Sequence, residues 1–219
     1  MKINLTETQV YYINLPHHLE KNEKITEMFS ELNYKKVQRL DGAIYPENPI
    51  AGCSRAHYHS LDPDKVPFIL FEDDAFLLDS ERKLDIIEVP DDADAVYLGT
   101  STWGRMNGHN GEYIQYDRVD GYPELVRVYN ILATHAILYI SKEYTEMCKR
   151  VGYHTGYVIE NYNDVGFAEI QRYFNVYAFD TPIFAQSSNI IGTNRSISSV
   201  NHTECMHHSP LQFYPYKVK

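Results

Sequence analysis

Residues Val66 to Leu78 read VPFILFEDDAFLL, so that four apolar side chains, Phe68 to Phe71, lead straight into three carboxylates, Glu72, Asp73 and Asp74. A short unbroken apolar run after a breaker such as Pro67 is the pattern of a strand buried on both faces, and strands of that kind belong to sheets covered by helices. Carboxylates placed only for solubility sit on polar surfaces. Directly after a buried strand they repel one another where water screens poorly, so something has to neutralise them. In extended chain Glu72 and Asp74 point one way and Asp73 the other, which lets two carboxylates meet one cation. A solvated turn or a helix cap explains most acidic triplets. Here the position favours a ligand site, because the carboxyl ends of strands in open α/β sheets line the crevice where ligands bind. Mg²⁺ or Mn²⁺, held by one or two carboxylates together with diphosphate oxygens, would offset the repulsion.

The rest of the chain predicts alternating elements around that strand. Val10 to Leu15 is a β-prone run, and Ile25, Met28, Phe29 and Leu32 recur at helical spacing within Leu19 to Leu32. Val37 to Leu40 predicts a second strand ending at Asp41-Gly42, and Cys53 to Leu61 a short helix before Pro63 and Pro67. Ala95 to Leu98 is another apolar run. Thr100 to Asp120, rich in Gly, Asn and Ser/Thr, predicts a long loop, and long loops in compact domains are often functional. Leu125 to Asn130 and His135 to Ile140 predict strands, followed by a helix from the cap Ser141 through Arg150 that ends at Gly152. Asn163 or Asp164 caps a further predicted helix through Phe174, before a β-prone Val176 to Phe179. Alternation of this kind favours an α/β sandwich with a largely parallel sheet.

A length of 219 residues suits one domain spanning 1–219, with a C-terminal tail, 187–219, that lacks periodicity and is expected to wrap the surface or close over a site. The balance of 20 Lys and Arg against 30 Asp and Glu gives a formal charge of −10, which argues against nucleic acid as a partner. No run approaches the roughly 20 apolar residues of a membrane span, and the N-terminus has no secretory signal pattern, so the expectation is a cytoplasmic chain. Three cysteines, Cys53, Cys148 and Cys205, without a CxxC pair suit a reducing compartment better than a disulfide framework.

Several ordered segments resemble glycosyltransferase family 25, the group of bacterial lipooligosaccharide and collagen galactosyltransferases. YYINLPHHLEKNEKITEMFSEL is similar to that family's opening strand and helix, RLDGAI to its strand ending in Asp-Gly, GCSRAHYHSL to its Gly-Cys…Ser-His helix and ILFEDDA to its acidic motif. AVYLG, THAILYIS, ENYNDVGF and PIFAQSSNI follow in the family's order. Ala56 stands where the family favours Ser, and Pro16-His17-His18 replaces its usual basic residues. The resemblance implies a GT-A fold, a Rossmann-like three-layer sandwich with a mixed, mostly parallel sheet. It also implies transfer of a sugar from a nucleotide-diphosphate donor, usually a UDP-sugar, to a hydroxyl of a glycan, glycoprotein or glycolipid acceptor, with inversion.

On that basis the candidate metal ligands are Glu72, Asp74 and, from the tail, His202, since imidazole suits Mn²⁺ better than Mg²⁺. Asp73, Asn14, Asp41, His57 and Gln186 are candidate donor contacts. Asn14 and Asp41 end the first two predicted strands, where a nucleotide would be held, although strand-end turns account for them as well. His57 on a partly apolar helix also suits a packing role, and Gln186 with Ser187 a polar turn. Asp164 is the candidate base that takes the acceptor proton; its competing explanation is an ordinary N-cap. Trp103 in the long loop could stack on a sugar. The rival functions are a noncatalytic sugar- or nucleotide-binding protein of the same fold and a transferase acting on modified DNA.

Overall fold

The structure, a computed structural model, describes residues 1–82, 84–186 and 193–199. In chain order its elements are β1 (Lys2–Asn4), β2 (Gln9–Asn14), α1 (Leu19–Glu31), β3 (Val37–Asp41), α2 (Pro49–Ser60) and β4 (Phe68–Glu72). There follow β5 (Ala75–Leu77), β6 (Ile86–Glu88), β7 (Ala95–Tyr97), β8 (Gly104–Met106), β9 (His109–Gly111), β10 (Tyr116–Arg118) and β11 (Leu125–Val128). The last third supplies β12 (Ala136–Tyr139), α3 (Lys142–Tyr157), α4 (Asn163–Ile170), β13 (Val176–Phe179) and β14 (Phe184–Gln186).

Eight strands form one sheet in the order β10-β11-β13-β7-β12-β4-β2-β3. The apolar run of β4 is buried on both faces, as its sequence requires. Ile69 and Phe71 join a core with Ile25, Met28 and Phe29 of α1, while Phe68 and Leu70 join one with Tyr144, Cys148 and Val151 of α3 and Phe167 of α4. With α2 packed on α3, the result is a three-layer α/β sandwich. The expected mostly parallel sheet is corrected. Only β2–β3, β2–β4 and β7–β13 pair in parallel; β10–β11, β11–β13, β7–β12 and β4–β12 are antiparallel. Parallel neighbours need a crossover connection, usually a helix, and between β7 and β12 the chain has none.

Other expectations also yield to local chemistry. The predicted loop from Thr100 to Asp120 contains the β8–β9 ribbon, turned by Asn107 and Gly108 at φ 51° and 81°, and then β10. Helix α2 begins four residues before Cys53, because Asn48 caps it through Ala51 N and Pro49 occupies the first turn. Helix α3 runs through Gly152 to Tyr157: Gly152 and Gly156 are where it touches α2, and a Cβ on Gly156 would lie 2.9 Å from Arg55 Cγ. Tertiary packing there overrides a helix-ending residue.

The β2, β3 and β4 strands run parallel, so Asn14, Asp41 and Glu72 finish at one edge of the sheet. β12 runs opposite to β4 and starts there, which puts Thr134 and His135 beside Glu72. Of the predicted C-terminal tail, residues 193–199 are described; Ile197 is buried and its amide donates to Asp180 O. The remainder, His202 included, lies outside the described residues. No helix among the described residues is long and apolar enough to cross a membrane.

Candidate active site

The three carboxylates are compensated in three different ways. Glu72 Oε1 meets His57 Nε2 at 2.9 Å and accepts from Thr134 Oγ1 at 2.5 Å, and its Oε2 accepts from Gln186 Nε2 at 3.1 Å. Burial pushes this carboxyl up, but the hydrogen bond and charge of His57 and the Thr134 hydroxyl outweigh burial and bring it down to about 2. Asp73 turns the other way, accepting from Lys21 Nζ and Asn14 Nδ2, each at 2.9 Å, with His18 Nδ1 at 3.6 Å. Asp74 has one donor among the described residues, Gln186 Nε2 at 3.2 Å. Burial, then the charge of Glu72, push it up to about 6 against the pull of Lys21 and Gln186. Glu72 ends β4, and Asp73 and Asp74 lie in the turn before β5, so the expected strand alternation stops at Glu72; Asp73 meets Lys21 and Asn14, while Glu72 and Asp74 share Gln186.

Gln186 reaches two carboxylates because β14 pairs antiparallel with β5, with Gln186 opposite Ala75, one residue beyond Asp74. Two cavities meet at this point. The first, about 420 Å³, has apolar walls from Ile13, Leu15 and Tyr45 and a basic side from His17, His18 and Lys21. The second, about 550 Å³, is bordered by Asp164, Ser101, Trp103, Thr134, Tyr162 and Gln186. Cys53, Glu72 and Asp74 form a wall of both.

Asp164 is not the cap of α4. The capping position is Tyr162, which makes no side-chain cap bond, and Asp164 lies in the first turn, its Oδ1 accepting from Val165 N at 2.7 Å. Its second oxygen has no hydrogen bond among the described residues. Burial first, and then the charge of Glu72, push its carboxyl up to about 6, while the Val165 amide, His57 and Arg105 pull it back. A carboxylate with that value next to a cavity is poised to take a proton near neutral pH.

Cys53 Sγ, a ring nitrogen of His57 and a Glu72 oxygen lie within 4.8 Å of one another. His57 Nε2 is already engaged by Glu72 Oε1, and its Nδ1 is buried without a hydrogen-bond partner among the described residues. With Glu72 ionised its oxygen can only accept, so the His57 Nε2–H is the donor of that bond. Crowding by the surrounding protein and then the nearby carboxylates push the Cys53 thiol above its usual range, although the residue as a whole is exposed. His57 therefore braces Glu72, the Cys53 thiol donates instead to Asn163 Oδ1 at 3.8 Å, and oxygen donors at Asp74 and Glu72 fit a hard cation such as Mg²⁺ or Mn²⁺.

Of the residues singled out in the sequence, Glu72, Asp73, Asp74, Asn14, His57, Gln186, Asp164 and Trp103 converge on these two cavities or on the groups that line them. Asp41 does not: its side chain is 77% exposed and paired with Arg39 at 2.9 Å, and only its neighbour Gly42 borders the first cavity. A strand-end residue whose side chain points away from the crevice cannot reach a ligand in it. Lys21 and Thr134 were missed. His18 and Lys21 are three apart at the start of α1, a spacing that could have put both over the strand ends; Thr134 depends on the β4–β12 pairing, which no local pattern announces.

No family model matches the chain, and no curated protein matches it. Among solved structures it is similar to a mutant of Drosophila β1,4-galactosyltransferase 7 in complex with manganese, UDP-Gal and xylobiose, at 11% identity and a TM-score of 0.42 over 96% of this chain and 78% of that one. The catalytic domain of the same Drosophila enzyme in complex with xylobiose matches at 10% identity and a TM-score of 0.39, over 95% of this chain and 77% of the other.

Proposed function

We propose that the chain is a metal-dependent glycosyltransferase of GT-A type, moving a sugar from a nucleotide-diphosphate donor, UDP-linked in the favoured case, to a hydroxyl of a glycan, glycoprotein or glycolipid acceptor with inversion. The observation that carries this is the pair of under-compensated carboxylates, Asp74 and Asp164, at two cavities that share one acidic wall. The first cavity suits the donor: Ile13, Leu15 and Tyr45 offer apolar surface to a base, and Lys21, which Asp73 holds in place, offers positive charge to a diphosphate, with the His17 and His18 rings beside it. Asp74 with Glu72 would hold Mn²⁺ or Mg²⁺, whose chemistry is to neutralise charge building on the leaving diphosphate.

The second cavity suits the acceptor. Trp103 and Tyr162 provide aromatic surface for a sugar ring, and Asp164, ionised above about pH 6, takes the proton from the attacking hydroxyl. One base and one displacement give inversion. His57, Thr134 and Gln186 hold Glu72 ionised and fixed, so that its place in the shared wall does not depend on pH within the working range.

The test is thermal unfolding with a panel of UDP-, GDP- and CMP-sugars, with Mn²⁺, with Mg²⁺ and in EDTA. A ligand bound only by the folded chain raises the transition, by about 2.7 kcal/mol of stability at a hundred times Kd. A UDP-sugar is expected to do so with metal and far less without. No shift from any nucleotide sugar under any metal would sink the proposal.

A further inference from the structure

The turn that delivers Asp164 is held from outside the cavity by one residue. Glu160 has φ 49°, a left-handed conformation unusual for a side chain of its size. Its Oε1 accepts from Arg55 Nη2 at 3.0 Å and from Tyr45 OH at 3.1 Å, while its carbonyl accepts from Asn48 Nδ2 at 3.1 Å. Arg55 is itself fixed: its guanidinium lies 3.7 Å from the Tyr45 ring centroid and 4.7 Å from that of Tyr157, and its Nε donates to Gly156 O at 2.8 Å. Ser54 Oγ then holds Asn161 O at 2.6 Å. Every one of these anchors belongs to α2, to its capping residue, to the segment before it or to the end of α3, and Tyr45 borders the first cavity.

Helix α4 needs such a device. It is eight residues long and its capping position makes no side-chain bond, so apart from the nearest-neighbour bonds of Asn161 to Tyr162 N and Asp164 to Val165 N nothing local fixes where its first turn starts. An unfavoured backbone conformation persists only where its surroundings over-determine it, and here four contacts from other elements do so.

We infer that Glu160 is a positioning residue: with Arg55, Tyr45 and Asn48 it forms a clasp that sets the direction of the 160–164 turn, and so the place of the Asp164 carboxylate, against the wall of the first cavity. This rests on the role proposed for Asp164. The clasp ties the acceptor-side base to the donor-side segment, so the two cavities keep a fixed relation to each other.

The experiment compares Glu160→Ala, Glu160→Gln and Asp164→Asn by UDP release from the UDP-sugar that most stabilises the chain in the panel above, with water as acceptor, and by backbone hydrogen exchange without ligand. Misplacement of a reacting group by about 1 Å costs on the order of 10²-fold, and Glu160→Ala is expected to lose that much turnover with its unfolding transition near wild type. Amides of residues 161–165 should exchange about tenfold faster while the sheet is unchanged. Glu160→Gln, which keeps an oxygen for Tyr45 and Arg55, should recover most of the loss. Unchanged turnover in Glu160→Ala with Asp164→Asn inactive overturns the clasp and leaves the base standing. Faster exchange throughout the chain makes Glu160 merely structural and also overturns it. Full turnover in Asp164→Asn, or no hydrolysis of any nucleotide sugar, removes the base and the clasp together.

Discussion

Replacing Asp164 by Asn should make the chain more stable and much less active, and the structure gives the size of the first effect. The Asp164 carboxyl moves from 3.8 to about 6 on folding, chiefly through burial. About two units correspond to roughly 3 kcal/mol at full ionisation, and water in the adjoining cavity reduces that to about 2 kcal/mol. Because the folded value lies above the unfolded one, the folded chain binds the proton more tightly between those two values. This group's contribution therefore falls as pH rises from about 4 to about 6 and is flat above. Asn keeps an oxygen for the Val165 amide and carries no charge, so the variant lacks that slope. Urea unfolding in EDTA should show the two proteins nearly equal at pH 4 and the variant ahead by about 2 kcal/mol at pH 7.5. Turnover should drop by roughly 10² to 10⁴, and in the wild type it should fall about tenfold per pH unit below about pH 6. Equal stability at both pH values would refute the burial argument, and retained turnover the assignment of the base.

Three further perturbations test the surroundings. Asp74→Asn should abolish the stabilisation by UDP-sugar with Mn²⁺ and the turnover with it, while circular dichroism stays that of the wild type; persistence of the metal-dependent shift would place the cation elsewhere. His57→Ala removes a buried imidazole and the main hydrogen bond to Glu72. It should cost about 3 kcal/mol by urea unfolding, a loss under about 1 kcal/mol showing that Glu72 is held by other groups. Gly156→Ala puts a Cβ 2.9 Å from Arg55 Cγ and 3.0 Å from its backbone N, where the α2–α3 contact cannot open freely, and should destabilise by about 1 to 3 kcal/mol. Wild-type stability in that variant would show that the two helices separate without cost.

What could be seen in the sequence was what depends on near neighbours. The buried β4 strand, the stripe of Ile25, Met28 and Phe29, and the acidic triplet at a strand end are all local patterns, and each sits where it was expected. The hairpin at Asn107-Gly108 was also local, since Asn-Gly is a strong signal for a two-residue turn; it was submerged in a polar stretch taken as loop. The start of α2 was equally visible in Asn48-Pro49. The antiparallel half of the sheet was not: whether β12 runs with or against β4 depends on how the 63 intervening residues pack, and so the arrival of Thr134 at Glu72 was hidden as well. Glu160 has no signature either. Its conformation is imposed by Tyr45, Asn48 and Arg55, more than a hundred residues earlier.

The acidic triplet shows why adjacent, chemically similar residues end with different duties. The turn after β4 sends Asp73 towards Lys21 and Asn14, which satisfy both of its oxygens, and leaves Glu72 and Asp74 on the wall that the two cavities share. There the supply of donors runs short. His57, Thr134 and Gln186 are all spent on Glu72, Gln186 also reaches Asp74, and among the described residues nothing more arrives. Glu72 is thus kept ionised at neutral pH, and its charge is what helps to hold Asp74 and Asp164 upward, on either side of the wall it occupies. A single well-compensated carboxylate therefore adds to the upward push that burial already gives two poorly compensated ones. Were the His57 bond lost, Glu72 would rise and its charge would fade sooner as the pH dropped, easing one of the pushes on Asp74 and Asp164, while burial, the larger cause for both, would keep each above an ordinary carboxylate. The buried imidazole, which hydrogen-bonds to neither of them, in this way reaches both through the carboxylate it braces.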